Sequence, residues 1–375
     1  VKIHSSKYTF GTVLIALCAT CIFTTTNAFS AEKLRFIGDQ NIPTGEKFKE
    51  TEIGGLSGLV YDKEKKKILA ISDDRSAIND ARFYEFDLKL DDKSFSVTPT
   101  DVVTLKNKEG KPFKKGTIDF EGITFYNGDL LVSSEGWINH EPPLPPEVFQ
   151  FTRLGAYKSN IEIPEKFLPL KDKENKIGVR DNLAFEGLTT TPDGKTVWVG
   201  TEEALNQDDR TSGPNYASVI RLIQYKDLKP VKEVAYRLEK VPSVKVAGLV
   251  VGETGLSDML AIDENNFYSI ERSYMPLAKK SVIRIFKNSI NDKTTDIAKM
   301  ESIKGMNIKT VEKELIADLE EFSPQMSANF QKLDNIEGIC FGPKLANGHD
   351  TMVLVSDNNF KKSQRTQFLA FEIIP

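Results

Sequence analysis

Acidic residues recur at matching places along this 375-residue chain, each beside a short apolar run. One set opens such runs: Glu121, Glu186, Asp258 and Glu337, with Ser57 in the corresponding place of an earlier copy. The separations from Ser57 onward are 64, 65, 72 and 79 residues. A second set closes the runs that follow: Asp73, Asp74, Glu135, Glu202, Glu203, Glu271 and Asp357. Carboxylates gathered at one place repel one another, so they either share protons or hold a cation. Hard oxygen donors without cysteine or histidine favour Ca²⁺ or Mg²⁺ over zinc. The alternative use of such acids is to accept hydrogen bonds from backbone amides and cap turns.

The elements that would position these acids are hairpins. Asn182 to Thr189 is an apolar strand opened by an acid and a glycine; a turn with Pro192, Asp193 and Gly194 follows, and Thr196 to Glu203 is an alternating strand ending on carboxylates. The pattern returns about five times, and each copy has room for two more strands. Arg82–Leu88 and Val97–Leu105 fit that role in the first copy, and Ser218–Tyr225 and Glu233–Leu238 in the third. Four short strands per unit at a long period predict an all-β fold, a β-propeller. The count is five blades, with six left open by the longer late spacings. The last copy, ending in Phe368–Ile374, is one strand short, and Lys33–Gly38 is left over at the other end. An N-terminal strand completing the last blade would close the ring and cover two sheet edges. In such hairpins the start of one strand neighbours the end of the next, so both acidic sets are expected on one rim of the channel. A pair of β-sandwiches is the competing architecture, but it does not call for hairpins that end repeatedly in acid.

Two stretches break the pattern. Trp137–Pro146 is too proline-rich for ladder strands and reads as a rigid surface loop. Val311–Leu319 has helical apolar spacing and reads as an excursion, within Asp296–Ser327, between strands of the fourth blade.

Residues 1–28 read as a cleavable export signal: Lys2 and Lys7, the apolar run Gly11–Phe23, then Thr26-Asn27-Ala28. The run is short for a bilayer span. The domain expected after it is 29–375. Removing 1–28 takes two of 50 basic residues and none of 54 acidic ones, so 48 against 54 leaves a charge of −6. That argues against a nucleic-acid binder. Cys18 and Cys21 would leave with the signal, and Cys340, in an apolar strand, is a buried small hydrophobe. Without an intramolecular disulfide, an exported chain must draw stability from a large core or from metal.

The combination of Gly55-Leu56-Ser57-Gly58 with Ser72-Asp73-Asp74-Arg75, Asp119-Phe120-Glu121-Gly122 with Ser134-Glu135-Gly136, and Asn182–Gly187 with Thr201-Glu202 resembles the esterase-like phytase, or phytase-like domain, family. Gly255-Leu256-Ser257-Asp258 with Glu271-Arg272 and Asn335-Ile336-Glu337-Gly338 with Ser356-Asp357-Asn358 continue it, so the resemblance spans about residues 33 to 375. It implies a secreted or periplasmic propeller that hydrolyses phosphate esters with bound Ca²⁺, with Glu121, Glu186 or Glu337 ligating metal or taking the proton. Phosphate chemistry also needs cations for the substrate. Arg75 and Arg272 directly follow terminal acids and Arg180 precedes the third anchor, so each is a candidate fork for phosphate oxygens. The expected partner is a small phosphorylated molecule, with no nucleic acid, no membrane span after the signal, and a monomeric chain. Two other readings stay open: a binding module that Ca²⁺ merely rigidifies, and a propeller lactonase or other ester hydrolase.

Other chemistries are excluded more firmly. Gly55-Leu56-Ser57-Gly58-Leu59 has the wrong glycine spacing for a nucleophile elbow. His140 and His349 lack metal-ligand spacing, and no glycine-rich phosphate loop precedes a helix. Trp137 and Trp198 read as rim or core aromatics rather than a sugar platform.

Overall fold

A computed structural model describes residue 1 and residues 32–169, 176–328 and 331–375. The export signal and its cysteines, Lys2 to Ala28, lie outside the described residues.

The chain forms a ring of five four-stranded antiparallel sheets. From the axis outward, the first blade is Leu56–Asp62, Lys67–Ser72, Arg82–Leu90 and Phe95–Thr104. The second is Phe120–Tyr126, Asp129–Ser134, Glu147–Phe151 and Tyr157–Asn160; the third is Phe185–Thr190, Thr196–Thr201, Val219–Lys226 and Lys229–Arg237. The fourth is Glu253–Ala261, Asn266–Met275, Lys280–Ser289 and Glu312–Asp318. The fifth is Asn335–Phe341, Thr351–Asp357 and Thr366–Ile374, completed on its outer edge by Lys33–Ile42. That N-terminal strand runs antiparallel to Thr366–Ile374, from Lys33 opposite Ile374 to Ile42 opposite Thr366, and closes the ring as expected.

The blades are buried on both faces, so their second strands are buried on both sides rather than alternating between core and solvent. Every residue of Thr196–Thr201 and of Thr351–Asp357 is buried. Each junction between neighbours has its own core. Phe83 and Leu69 meet Phe120 and Leu130 between the first two blades, and Phe86 meets Val353 and Phe368 between the first and the fifth. Ile270 and Ile285 meet Leu354 and Phe371 between the fourth and fifth. With Val148 and Phe185 sharing a core between the second and third blades, and Trp198 and Leu256 between the third and fourth, every junction of a five-membered ring is filled. No sixth blade fits. Each large side chain buried this way contributes about 1.5–3 kcal/mol.

Val311–Leu319 is not a helix: only Leu319, which opens the 3-10 helix Leu319–Gln325, is helical. Glu312–Asp318 is the outer strand of the fourth blade, paired with Lys280–Ser289. The open edge of that third strand offers hydrogen bonds that a short, exposed helix would forgo, and a bulge at Ile285/Phe286 absorbs the irregular apolar spacing. The excursion is the preceding stretch, 290–311, which lies against the outer strand of the third blade: Ile297 N–H donates to Glu233 O and Val311 N–H to Ala235 O. Trp137–Pro146 is the expected loop, closed by a single bridge between Trp137 and Leu144. Cys340 is buried. Among the described residues no helix is long and apolar enough to cross a membrane.

Candidate functional site

In every blade the first strand carries a bulge near its start. The register of pairing skips Ser57 in the first blade, Ser257 in the fourth and Glu337 in the fifth, and skips the pairs Glu121-Gly122 and Glu186-Gly187 in the second and third. A bulged residue is freed from the ladder and re-aimed. Three of these residues, Glu121, Glu186 and Glu337, line a cavity at one end of the channel. The glycine after the bulged residue is needed because neighbouring first strands nearly touch: a Cβ on Gly58 would lie 2.5 Å from the Glu121 carbonyl oxygen.

The ring of equivalent positions is therefore Ser57, Glu121, Glu186, Ser257 and Glu337. Asp258 is one residue off, in the place that the other blades give to glycine. Its carboxylate accepts from the N–H groups of Met259 (2.8 Å) and Ile339 (3.0 Å) and, at 3.4 Å, Leu188, joining three blades. Burial holds its pKa well above the usual range despite those donors.

The second ring follows the ends of the second strands. Pairing aligns Ser72, Ser134, Thr201, Glu271 and Ser356 opposite the starts of the first strands. The next residues, Asp73, Glu135, Glu202, Arg272 and Asp357, form the ring. The fourth blade thus contributes an arginine where its neighbours contribute acids. Period-two geometry turns adjacent residues to opposite sides, so Glu271 faces outward and accepts from Tyr236 Oη (2.6 Å), Lys313 Nζ (2.6 Å) and Glu239 N–H (2.8 Å).

Three other acids or bases of the sequence reading are also held apart from this site. Asp74 pairs with the buried Arg82 and accepts from the N–H groups of Ala77, Ile78 and Asn79. Glu203 accepts from Ser212 N–H (2.6 Å) and Ser218 Oγ (2.6 Å). Arg180 donates to the carbonyls of Ala204 (2.9 Å) and Asp209 (2.6 Å).

What the rings enclose is a cavity of about 680 Å³ lined by Asp73, Arg75, Asp119, Glu121, Glu186, Glu202, Arg272, Glu337 and Asp357. Oxygens of Asp119, Glu121 and Glu135 lie within 4.8 Å of one another, and so do those of Glu135, Glu186 and Glu202. Two guanidiniums face these acids. Arg272 Nη2 is 3.2 Å from Glu202 and 3.5 Å from Glu337, while its Nε donates to Ser257 Oγ at 3.3 Å. Arg75 pairs with Asp119, donates to Asn182 Oδ1 (2.7 Å) and lies 5.7 Å from the Trp137 ring centre. Lys279, Lys332 and Lys361 stand on the side of the fourth and fifth blades.

Burial is the first cause of every shift among these acids. It raises Asp119 to about 6 against the pull of Arg75, and Glu202 to about 7 against Arg272. Burial raises Asp357 to about 6 although Asn359 and Asn335 donate to it. Glu121, Glu135, Glu186, Glu337 and Asp73 are pushed well above the carboxylate range by burial and then by one another. Arg272 is raised by Glu337 and Glu202, which outweigh its burial. A site that penalises its own negative charge this strongly is suited to a cation. All of its donors are hard oxygens, which fits Ca²⁺ or Mg²⁺.

Asp119 joins the site without having been singled out as a candidate. The signal was present: Asp119-Phe120-Glu121-Gly122 and Asn335-Ile336-Glu337-Gly338 share a polar residue two places before the acid, and Asn335 donates to Glu337 (2.8 Å) and Asp357 (3.3 Å).

A family model described as phytase-like, esterase-like activity of phytase, matches residues 51–360. An uncharacterized secreted protein of Arthroderma benhamiae is 27% identical over 132 residues, a match that takes in 29% of this chain and 24% of that protein. The chain thus spans about a quarter of that relative's length. Solved structures with a similar course include an endo-arabinase from Bacteroides thetaiotaomicron, at 12% identity, 89% of this chain, 97% of that one and a TM-score of 0.40. Another is a putative 6-phosphogluconolactonase from Bacteroides uniformis, at 12% identity, 87% and 92% coverage and a TM-score of 0.34.

Proposed function

The chain belongs to the phytase-like family, and from that premise we propose that it is an exported, metal-dependent hydrolase of phosphate esters working in the acidic cavity on the ring axis. The observation that carries the reading is the joint presence, in one cavity, of buried carboxylates from the first, second, third and fifth blades and of two guanidiniums set against them, Arg75 and Arg272, with a third arginine, Arg365, also on the lining. Acids alone would suit an ion-stabilised binding module; forked cations beside them suit a phosphate.

Glu135 belongs to both close groups of oxygens, so Asp119, Glu121, Glu135, Glu186 and Glu202 are the proposed holders of the ion. Asp73 and Asp357, on the same cavity wall, complete its surroundings. Ca²⁺ is preferred to Mg²⁺ because it accepts many carboxylates in irregular geometry. The ion would supply Lewis-acid polarisation of a phosphoryl oxygen. Glu337 stands outside the close groups and is the proposed acceptor of the attacking water's proton. Arg272 and Arg75 orient and neutralise the phosphoryl oxygens. The secreted relative and the N-terminal signal pattern support export.

The test is purified protein assayed on phosphomonoesters, including phytate, and phosphodiesters, with Ca²⁺ and with chelator, beside a lactone panel. Phosphate release that chelator abolishes is expected. No turnover under any condition, together with thermal stability indifferent to chelator, overturns the reading; lactone turnover alone replaces it with the ester-hydrolase alternative.

A further inference from the structure

Four of the large exposed apolar side chains fall close together. Leu249 (61% exposed), Leu277 (47%), Val251 (43%) and Tyr274 (39%) all occur in two neighbouring segments at the cavity end of the fourth blade. One segment, 241–252, enters the first strand of that blade. Its tip is a tight turn with Ala247 and Gly248 at positive φ, closed by reciprocal backbone bonds between Val246 and Leu249. The other is the end of the second strand with the turn that follows it, 274–279. Beneath them, Val241, Met275 and Val282 share a small buried cluster with Val244, Val250 and Ala278 packed against it. The two tips are one braced unit that turns its aliphatic side chains outward.

Contiguous exposed apolar surface marks a docking site, and the charges beside it select the partner. Glu239 is paired with Lys313, and Lys280 with Glu320. Lys240, Lys245 and Lys279 make no ion pair among the described residues, against one exposed acid, Glu253, at the end of the first segment, so the tips keep a net positive charge. Protein interfaces are depleted in lysine and centre on aromatic residues, methionine and arginine. Leucine and valine tips ringed by lysine match the boundary of a bilayer instead. There the aliphatic groups enter the acyl region while the ammonium groups reach the anionic headgroups.

We propose that these two tips dock the protein on an anionic phospholipid membrane. The inference is read by binding and stands or falls apart from any turnover.

Vesicles of phosphatidylcholine alone and of equimolar phosphatidylcholine and phosphatidylglycerol, sedimented with the chain from residue 29 onward in EGTA, provide the test. The protein is expected to co-sediment with the mixed vesicles, and less as salt is raised. Leu249→Asp combined with Leu277→Asp should lower partitioning by more than about tenfold, with an unchanged melting temperature because both side chains are exposed. Lys245→Gln and Lys279→Gln should each weaken it about fivefold. No binding to the mixed vesicles, or equal binding by the double Asp variant, overturns the proposal. A concentration-dependent dimer in light scattering that the double variant abolishes assigns the tips to a second copy and also overturns it.

Discussion

Arg272 Nη2 lies 3.2 Å from Glu202 Oε1, joining the fourth blade to the third across the mouth of the channel. The same nitrogen is 3.5 Å from Glu337 on the fifth blade. Arg272 occupies the ring position that holds an acid in every other blade, so the fourth blade brings a permanent cation into an otherwise anionic ring. This internal charge offsets part of the repulsion that an added cation would otherwise have to relieve alone.

Arg272→Met should therefore make the protein dependent on added metal for stability. Removing one partner of a buried ion pair costs about 3–5 kcal/mol. The loss should appear in full in EGTA and be partly recovered with Ca²⁺, giving a larger calcium-induced shift in melting temperature than the parent shows. Equal shifts in the two proteins would show that Arg272 and the ion do not share the same acids.

The acids also set a pH dependence. Glu202 at about 7 and Asp119 and Asp357 at about 6 sit above their unfolded values of 4.5 and 3.8. Between those limits the folded chain binds more protons than the unfolded one, so stability falls as pH rises. In EGTA, the melting temperature should rise on going from pH 7.5 to about pH 5. Calcium competes with those protons, so its stabilising effect should be greatest above pH 7 and fade toward pH 5. Scanning calorimetry across the range, with and without the ion, reads both slopes.

The ring was legible because hairpins repeat, and strand pairing leaves a strong apolar rhythm. The site was legible only in part, because sequence shows that an acid ends a strand but not which side it faces. Asp73 and Asp74 are neighbours, yet one lines the cavity and the other pairs with Arg82. Glu202 and Glu203 divide the same way. The match of Gly255-Leu256-Ser257 to Gly55-Leu56-Ser57 carried the true alignment, but the adjacent acid Asp258 obscured it. Strand alternation decides the parities at the second-strand ends and bulges decide those of the first strands, and neither changes a residue type. Arg180 stands near the third anchor in sequence but is spent on backbone carbonyls.

The split between Asp74 and the cavity acids can be measured. Asp74→Asn leaves Arg82 buried without its countercharge and should cost roughly 3 kcal/mol, while the calcium-induced shift stays as in the parent. Glu135→Gln removes the acid common to both close groups of oxygens. It should stabilise the EGTA form slightly, by removing one like charge, and abolish most of the calcium response. Paired melts of the two variants distinguish them; a lost calcium response in Asp74→Asn would place that acid at the ion after all.

Gly255→Ala probes the position of Glu202 without touching any charge. A Cβ at residue 255 would lie 2.5 Å from both Cγ and Oε1 of Glu202. The obstructed atoms belong to the flexible end of a side chain, so the fold can yield by swinging Glu202 aside. The swing would break its contact with Arg272 and take its oxygen away from Glu135 and Glu186. Displacing a site group by about an ångström can cost on the order of a hundredfold in turnover. The variant is expected to melt near the parent in EGTA, to respond more weakly to Ca²⁺, and to lose most phosphate release. A fully active Gly255→Ala would show that Glu202 takes no part in the chemistry and serves only to balance Arg272.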